Sequence, residues 1–217
     1  MLAAEVRLEE FYRVAGRDPI LRALTERFHG LKLVRAPSLY ECLVSTVLEQ
    51  QLNFHFASTV KRRLLERFGV SLVHQGRTYW GYPPPRALAR LQAADLRSLQ
   101  ISERKASYLI GVARAEVEGR LPAAAALGSP LQPLPEPIME RLLALRGIGR
   151  WTAEYALLRG LGYADALPAD DVGLQKTIGA LYGLRGYASA LAIRRRWKPL
   201  APWRGYATHY CWFTQWA

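Results

Sequence analysis

Apolar residues along this chain recur at three- and four-residue intervals, and little of the sequence alternates with the two-residue period of a strand, which predicts helices almost throughout. Residues 38–51, SLYECLVSTVLEQQ, place Leu39, Cys42, Leu43 and Val47 on one stripe behind Ser38, and Glu41 completes a capping-box signature. Such a helix is expected to be buried. The next segment, NFHFASTVKRRLLERFG, has Asn53 as a candidate N-cap and Gly69 as its stop. PPPRALARLQ then breaks and restarts the chain. SERKASYLIGVARAEVEG runs from a Ser102 cap to Gly119, and PEPIMERLLALRG starts at a proline turn and is expected to stop at Gly147. Further helices are predicted from about Arg150 to Arg159, after Asp171, and around YASALAIRRRW and WRGYATHYCWFTQW. The proline-rich stretch 127–137, LGSPLQPLPEP, reads as a short structured loop. No fixed-period repeat or low-complexity tail interrupts the pattern.

The chain has 217 residues, half of them hydrophobic, enough for one large domain or two small lobes with a core. No run reaches the eighteen uncharged apolar residues of a membrane span, and MLAAEVRLEEFYRVAGRDP is too acidic and broken for a signal peptide, so a cytoplasmic protein without membrane contact is expected. Two cysteines, Cys42 and Cys211, exclude a disulfide framework and a four-cysteine iron–sulfur cluster, and read as packing residues. The formal charge of +12 points to a polyanionic partner. The competing explanation is that 25 of the 30 basic residues are arginine, which codon bias or thermal adaptation also produces.

Between two predicted helices lies Gly147-Ile148-Gly149. A Gly-x-Gly turn lets a partner approach the backbone, and its free N–H groups, with the positive end of the following helix, suit a phosphate. Glycine also serves plain chain reversal in helical hairpins. What lies around the turn narrows the choice. LRGIGRWTAEYALLRGLG is followed by LPADDVGLQKTIG, with Asp171 24 residues beyond Gly147. LVSTVLEQQLN, LQISERKASYLIGVA and RRRWKPLAPWRGYATHYCWFTQW complete the series. In this order the segments resemble the helix-hairpin-helix DNA glycosylase superfamily, and within it the alkylation-repair branch of 3-methyladenine DNA glycosylase II. Residues 1–37 read as helical rather than as the β-rich N-terminal domain that some members carry.

The resemblance implies an all-α fold of two helical lobes with a DNA-binding cleft between them. One lobe is expected over 38–157, with a wedge loop and the hairpin; the other joins 1–37 to 158–217 and carries the catalytic aspartate. That residue would be Asp171, since a carboxylate beside the sugar C1′ stabilises the cation that forms as the base departs and helps a water to attack. Neighbouring Asp170 points elsewhere on any regular backbone. Asp171 is equally a candidate N-cap for the helix that begins near Val172. Backbone-cutting members carry a lysine just after the hairpin, which forms a Schiff base with the sugar. Trp151 stands there, so a monofunctional enzyme is expected. Adenine-excising members would carry a glutamate where this chain has Thr46, and they use an iron–sulfur cluster. Trp151, Tyr155 and Trp212 are candidate walls of a base pocket, because electron-rich faces attract a methylated, cationic base. Plain core packing is the alternative for all three.

Gln50, Gln51 and Leu52 resemble the wedge loop that fills the gap left by an extruded nucleotide; a polar helix end with one buried leucine fits the same residues. Gly147, Gly149, Arg150 and Lys176 are expected to meet DNA. Main-chain carbonyls of Leu143, Leu145 and Gly147 would hold a monovalent cation, Na+ or K+, although Arg146 replaces the usual proline. His29, His55, His74 and His209 fall in no metal-ligand spacing, and no catalytic metal or cofactor is expected. The expected partner is double-stranded DNA with alkylated bases, bound by a monomer. The rival readings are a glycosylase/lyase for oxidised bases and a non-catalytic helix-hairpin-helix DNA-binding protein.

Overall fold

The computed structural model describes residues 6–123, 131–132 and 136–215. Most of the proline-rich stretch 127–137 therefore lies outside the described residues. The chain runs through α1 (Glu9–Ala15), α2 (Pro19–Arg27), α3 (Leu39–Glu49), α4 (Phe54–Phe68), a ribbon of β1 (Ser71–His74) and β2 (Arg77–Trp80), α5 (Pro85–Ala89), α6 (Ala93–Arg97), α7 (Glu103–Val117) and α8 (Glu136–Leu143). After the glycine turn come α9 (Arg150–Ala156), a π turn at Leu157–Leu161, α10 (Val172–Leu181), α11 (Ala190–Arg196), a 3-10 turn and α12 (Arg204–Phe213). The fold is all-α with one small ribbon. Among the described residues no helix is long and apolar enough to cross a membrane.

Helix starts follow their caps. The Ser38 hydroxyl accepts the Glu41 N–H at 3.1 Å, the Asn53 carbonyl oxygen accepts that of Phe56 at 2.9 Å, and Ser102 accepts that of Lys105 at 3.3 Å. Eight of the eleven residues of α3 are buried, so this helix lies inside the protein, packed on α4, α7, α9 and the π turn. On the other side α12 packs on α10 and α2, and its Tyr206 and Tyr210 surround the fully buried Phe11 of α1. Buried side chains from both expected lobes form one continuous cluster.

Two features depart from the sequence reading. The ribbon was not expected, because its strands, SLVH and RTYW, are exposed on both faces and so show no alternation of apolar and polar residues. Its signal is the turn: Gln75 and Gly76 have φ of 49° and 71°, the pair of positive angles of a two-residue hairpin. Helix α8 ends at Leu143 rather than at Gly147, leaving residues 144–149 to build the turn.

Two arginines fix the segment that leads to α10. Arg204 forks onto Asp165, with Nε to Oδ1 at 2.7 Å and an Nη to Oδ2 at 2.5 Å. Gly205 donates its N–H to the Ala164 carbonyl at 2.7 Å, and a Cβ there would stand 2.6 Å from that oxygen, so only glycine allows the approach. Arg194 of α11 grips Glu154 of α9 with both Nη atoms, at 3.0 and 2.9 Å, and reaches Asp170 at 3.0 Å.

Candidate active site

Asp171 caps α10. Its Oδ1 accepts the Leu174 N–H at 2.7 Å, and its own N–H bonds the Pro168 carbonyl at 2.9 Å. The same carboxylate receives two indoles: Trp151 Nε1 donates to Oδ2 at 3.0 Å and Trp212 Nε1 donates to Oδ1 at 3.2 Å. The carboxylate that caps α10 thus also receives both indoles. Asp170 turns to Arg194 instead.

Asp171, Trp151, Tyr155 and Trp212 line one cavity of about 720 Å³. The rings run in series, Trp151 to Tyr155 at 5.8 Å and Tyr155 to Trp212 at 5.5 Å between centroids. Trp197 and Trp203 are sealed in the core, whereas Trp151 and Trp212 are half-buried and line the cavity. Burial pushes the Tyr155 hydroxyl far above the usual phenol range. His209, at the cavity wall, is pushed down to about 4 by burial and by the Arg159 cation, so its imidazole is neutral at pH 7.

The glycine turn borders a second cleft of about 510 Å³ with Gln50, Gln51, Arg104 and Tyr108. Gly147 has φ of +87° and sits on the Tyr108 ring, where a Cβ would come within 2.3 Å. Gly149 has neither constraint: its backbone is extended, and nothing lies within 4 Å of where a Cβ would stand. Gly147 answers the fold, while Gly149 leaves the N-terminus of α9 uncovered.

The remaining expected residues divide. Leu52 lines the aromatic cavity, and Gln51, with φ of 55°, is exposed beside the turn. Gln50 faces inward: its Nε2 donates to the Gly147 carbonyl at 3.0 Å and the Thr152 hydroxyl at 3.1 Å, bracing α3 against the turn. Arg150 is exposed and bonds Glu154 at 3.0 Å, and Lys176 is exposed on α10. Of the three carbonyls expected to hold Na+ or K+, that of Gly147 accepts from Gln50 and that of Leu145 accepts from the Ile148 N–H at 3.0 Å, which leaves each oxygen one further lone pair. Cys42 and Cys211 are free and buried, and burial pushes the Cys42 thiol up to about 12.

Sequence reasoning missed Arg159 and Glu49, which line the aromatic cavity, and the Arg194 clamp. Arg159 had a signal, since Trp151, Tyr155 and Arg159 are spaced four apart. Arg194 and Glu154 are 40 positions apart, beyond any local pattern.

Residues 44–202 match a family model described as HhH-GPD superfamily base excision DNA repair protein. A protein of Bacillus subtilis (strain 168) named DNA-3-methyladenine glycosylase is 36% identical over 205 residues, which cover 94% of this chain and 66% of that protein. The chain thus spans just under two thirds of that relative's length. Among solved structures, 3-methyladenine DNA-glycosylase from Archaeoglobus fulgidus superposes with a TM-score of 0.80 at 27% identity, covering 96% of this chain and 69% of that one. The Schizosaccharomyces pombe 3-methyladenine DNA glycosylase Mag1, in complex with abasic DNA, does so with a TM-score of 0.75 at 25% identity, covering 95% and 96%.

Proposed function

Because the chain belongs to the HhH-GPD superfamily of base excision DNA repair proteins, we propose that it is a monofunctional DNA glycosylase that hydrolyses the N-glycosidic bond of alkylated bases in duplex DNA. One observation carries this reading: a carboxylate held by two indole N–H groups opens onto the aromatic cavity that those indoles help to line.

The geometry suits the chemistry. A base extruded from the stack enters between aromatic faces, each of which attracts a methylated, cationic ring by about 0.5–2 kcal/mol. The bond from C1′ to the base nitrogen breaks with its electron pair going to the base, which for a cationic lesion departs neutral and needs no acid. Asp171 stabilises the positive charge left on the sugar and accepts the proton of the water that adds to C1′. The indole N–H groups position its two oxygens, and the Leu174 N–H ties the carboxylate to α10. No lysine lines the cavity among the described residues, so no Schiff base with the sugar is expected. That favours simple hydrolysis over combined base removal and strand cutting. Against a non-catalytic binding protein stands Asp171 itself, placed where a cap alone requires no cavity.

Duplex DNA reaches the cleft at the glycine turn, where the bare N–H groups at Gly149 and the start of α9 receive a phosphate. The charge of +12 strengthens this attraction without sequence preference. On this reading the protein is a cytoplasmic monomer that needs no cofactor for the chemistry. The test is incubation with methylated duplex DNA. Free methylated bases are expected, with strands that stay intact until alkali or heat is applied. Strand cutting without either removes the monofunctional reading, and no base release removes the glycosylase reading.

A further inference from the structure

Three side chains, Glu49, Tyr155 and Arg159, border both the aromatic cavity and an adjoining one of about 290 Å³. Among the described residues the half-buried Arg159 guanidinium makes no hydrogen bond and no ion pair, although its charge acts on Tyr155, His209 and Cys42. Its N–H donors, which have no acceptor of their own among the described residues, are available to a guest in the cavity. Glu49 differs: its Oε1 accepts from the Ser45 hydroxyl at 2.8 Å and lies 3.7 Å from the Lys61 ammonium. With Lys61 beside Glu49, the charge on the cavity that offsets Arg159 is the Asp171 carboxylate, so a cationic lesion is not repelled.

Position along the helix gives Arg159 its role. Trp151 touches the Asp171 carboxylate, Tyr155 lies one turn further along α9, and Arg159 four residues beyond that, in the π turn. With the sugar at Asp171, a purine directed along this row of side chains presents the edge opposite its glycosidic nitrogen toward Arg159. At position 6 of that edge adenine carries an amino group, whereas guanine carries the carbonyl oxygen O6. A guanidinium has donors only, so it is complemented by the oxygen and not by the amino group.

We propose that Arg159 reads the far edge of the extruded base, donating to a carbonyl oxygen, and thereby favours 6-oxopurine lesions over 6-aminopurine lesions. This rests on the glycosylase reading above. The assay is release from duplex DNA treated with a methylating agent, which holds 7-methylguanine and 3-methyladenine together, with both free bases measured from one reaction. The wild type, Arg159→Met and Arg159→Lys are compared, with thermal unfolding and duplex affinity measured alongside. The ratio of 7-methylguanine to 3-methyladenine released is expected to fall about tenfold or more in Arg159→Met, the effect of one lost charge-assisted hydrogen bond. In Arg159→Lys, which keeps the charge but loses the fork, a smaller fall is expected. Should the methionine variant not fold, the lysine variant carries the test alone. A ratio equal to that of the wild type in the folded variants, with both bases still released, overturns the assignment of Arg159. If the wild type releases neither base, the glycosylase reading itself falls, and this inference with it.

Discussion

Replacing Arg194 by methionine removes the cation that joins Glu154 to Asp170. The Glu154 side chain is 6% exposed and that of Arg194 27%, so the pair lies mostly out of water. Stripping the partner from a buried carboxylate costs about 3–5 kcal/mol. Two facts lower that figure here. Arg150 remains at 3.0 Å from Glu154, although it is 68% exposed and screened, and Arg194 is itself partly solvated. A loss of about 2–3 kcal/mol is therefore expected, read by urea unfolding at pH 7 with unchanged slope. The double variant Glu154→Gln, Arg194→Met leaves no buried charge and is expected to be less destabilised than the sum of the singles by about 1–2 kcal/mol. Stability of Arg194→Met within about 0.5 kcal/mol of wild type, or strict additivity in the double variant, refutes the argument. The same change frees Asp170 beside Asp171, so base release is expected to fall more than duplex affinity.

Three further outcomes follow from the geometry. His209 has its folded value depressed to about 4, so it binds a proton more readily when unfolded; stability is full above pH 6.5 and declines as the pH falls toward 4, by an amount on the order of 3 kcal/mol, and this slope should vanish in His209→Gln. Trp151→Phe keeps the aromatic face but loses the donor to Asp171 Oδ2, and should lower kcat about tenfold or more with little change in KM; equal activity would assign Trp151 to packing alone. Gly147→Ala forces an alanine into φ of +87° against the Tyr108 ring, and should cost about 1–3 kcal/mol of stability and weaken duplex binding. Unfolding and affinity indistinguishable from wild type would show that the turn tolerates a Cβ.

What the sequence revealed was mainly local. Caps at Ser38, Asn53 and Ser102, and the stop at Gly69, announce their helices because the hydrogen bonds involved span three or four residues. Asp171, Trp151, Tyr155 and Trp212 could be collected from motif order, and the fold brings all four to one cavity. The indole hydrogen bonds to Asp171 were invisible, since the partners are 20 and 41 positions apart. Gln50 shows the converse: its place in the wedge motif suggested DNA, yet the close approach of α3 to the turn draws its amide to Gly147 and Thr152. Arg159 lay in plain view on the Trp151 and Tyr155 stripe, but the apolar residues around it gave no hint that its charge faces a cavity.

Asp171→Asn tests the central claim most directly, because asparagine still caps α10 through its side-chain oxygen while the charge is lost. Single-turnover release of methylated base is expected to slow on the order of 100-fold or more, with duplex affinity close to wild type and stability lower by about 1–3 kcal/mol, because the amide NH2 then faces the Trp151 N–H. Release at the wild-type rate would mean that no negative charge at this position is needed to break the bond, and would contradict the account.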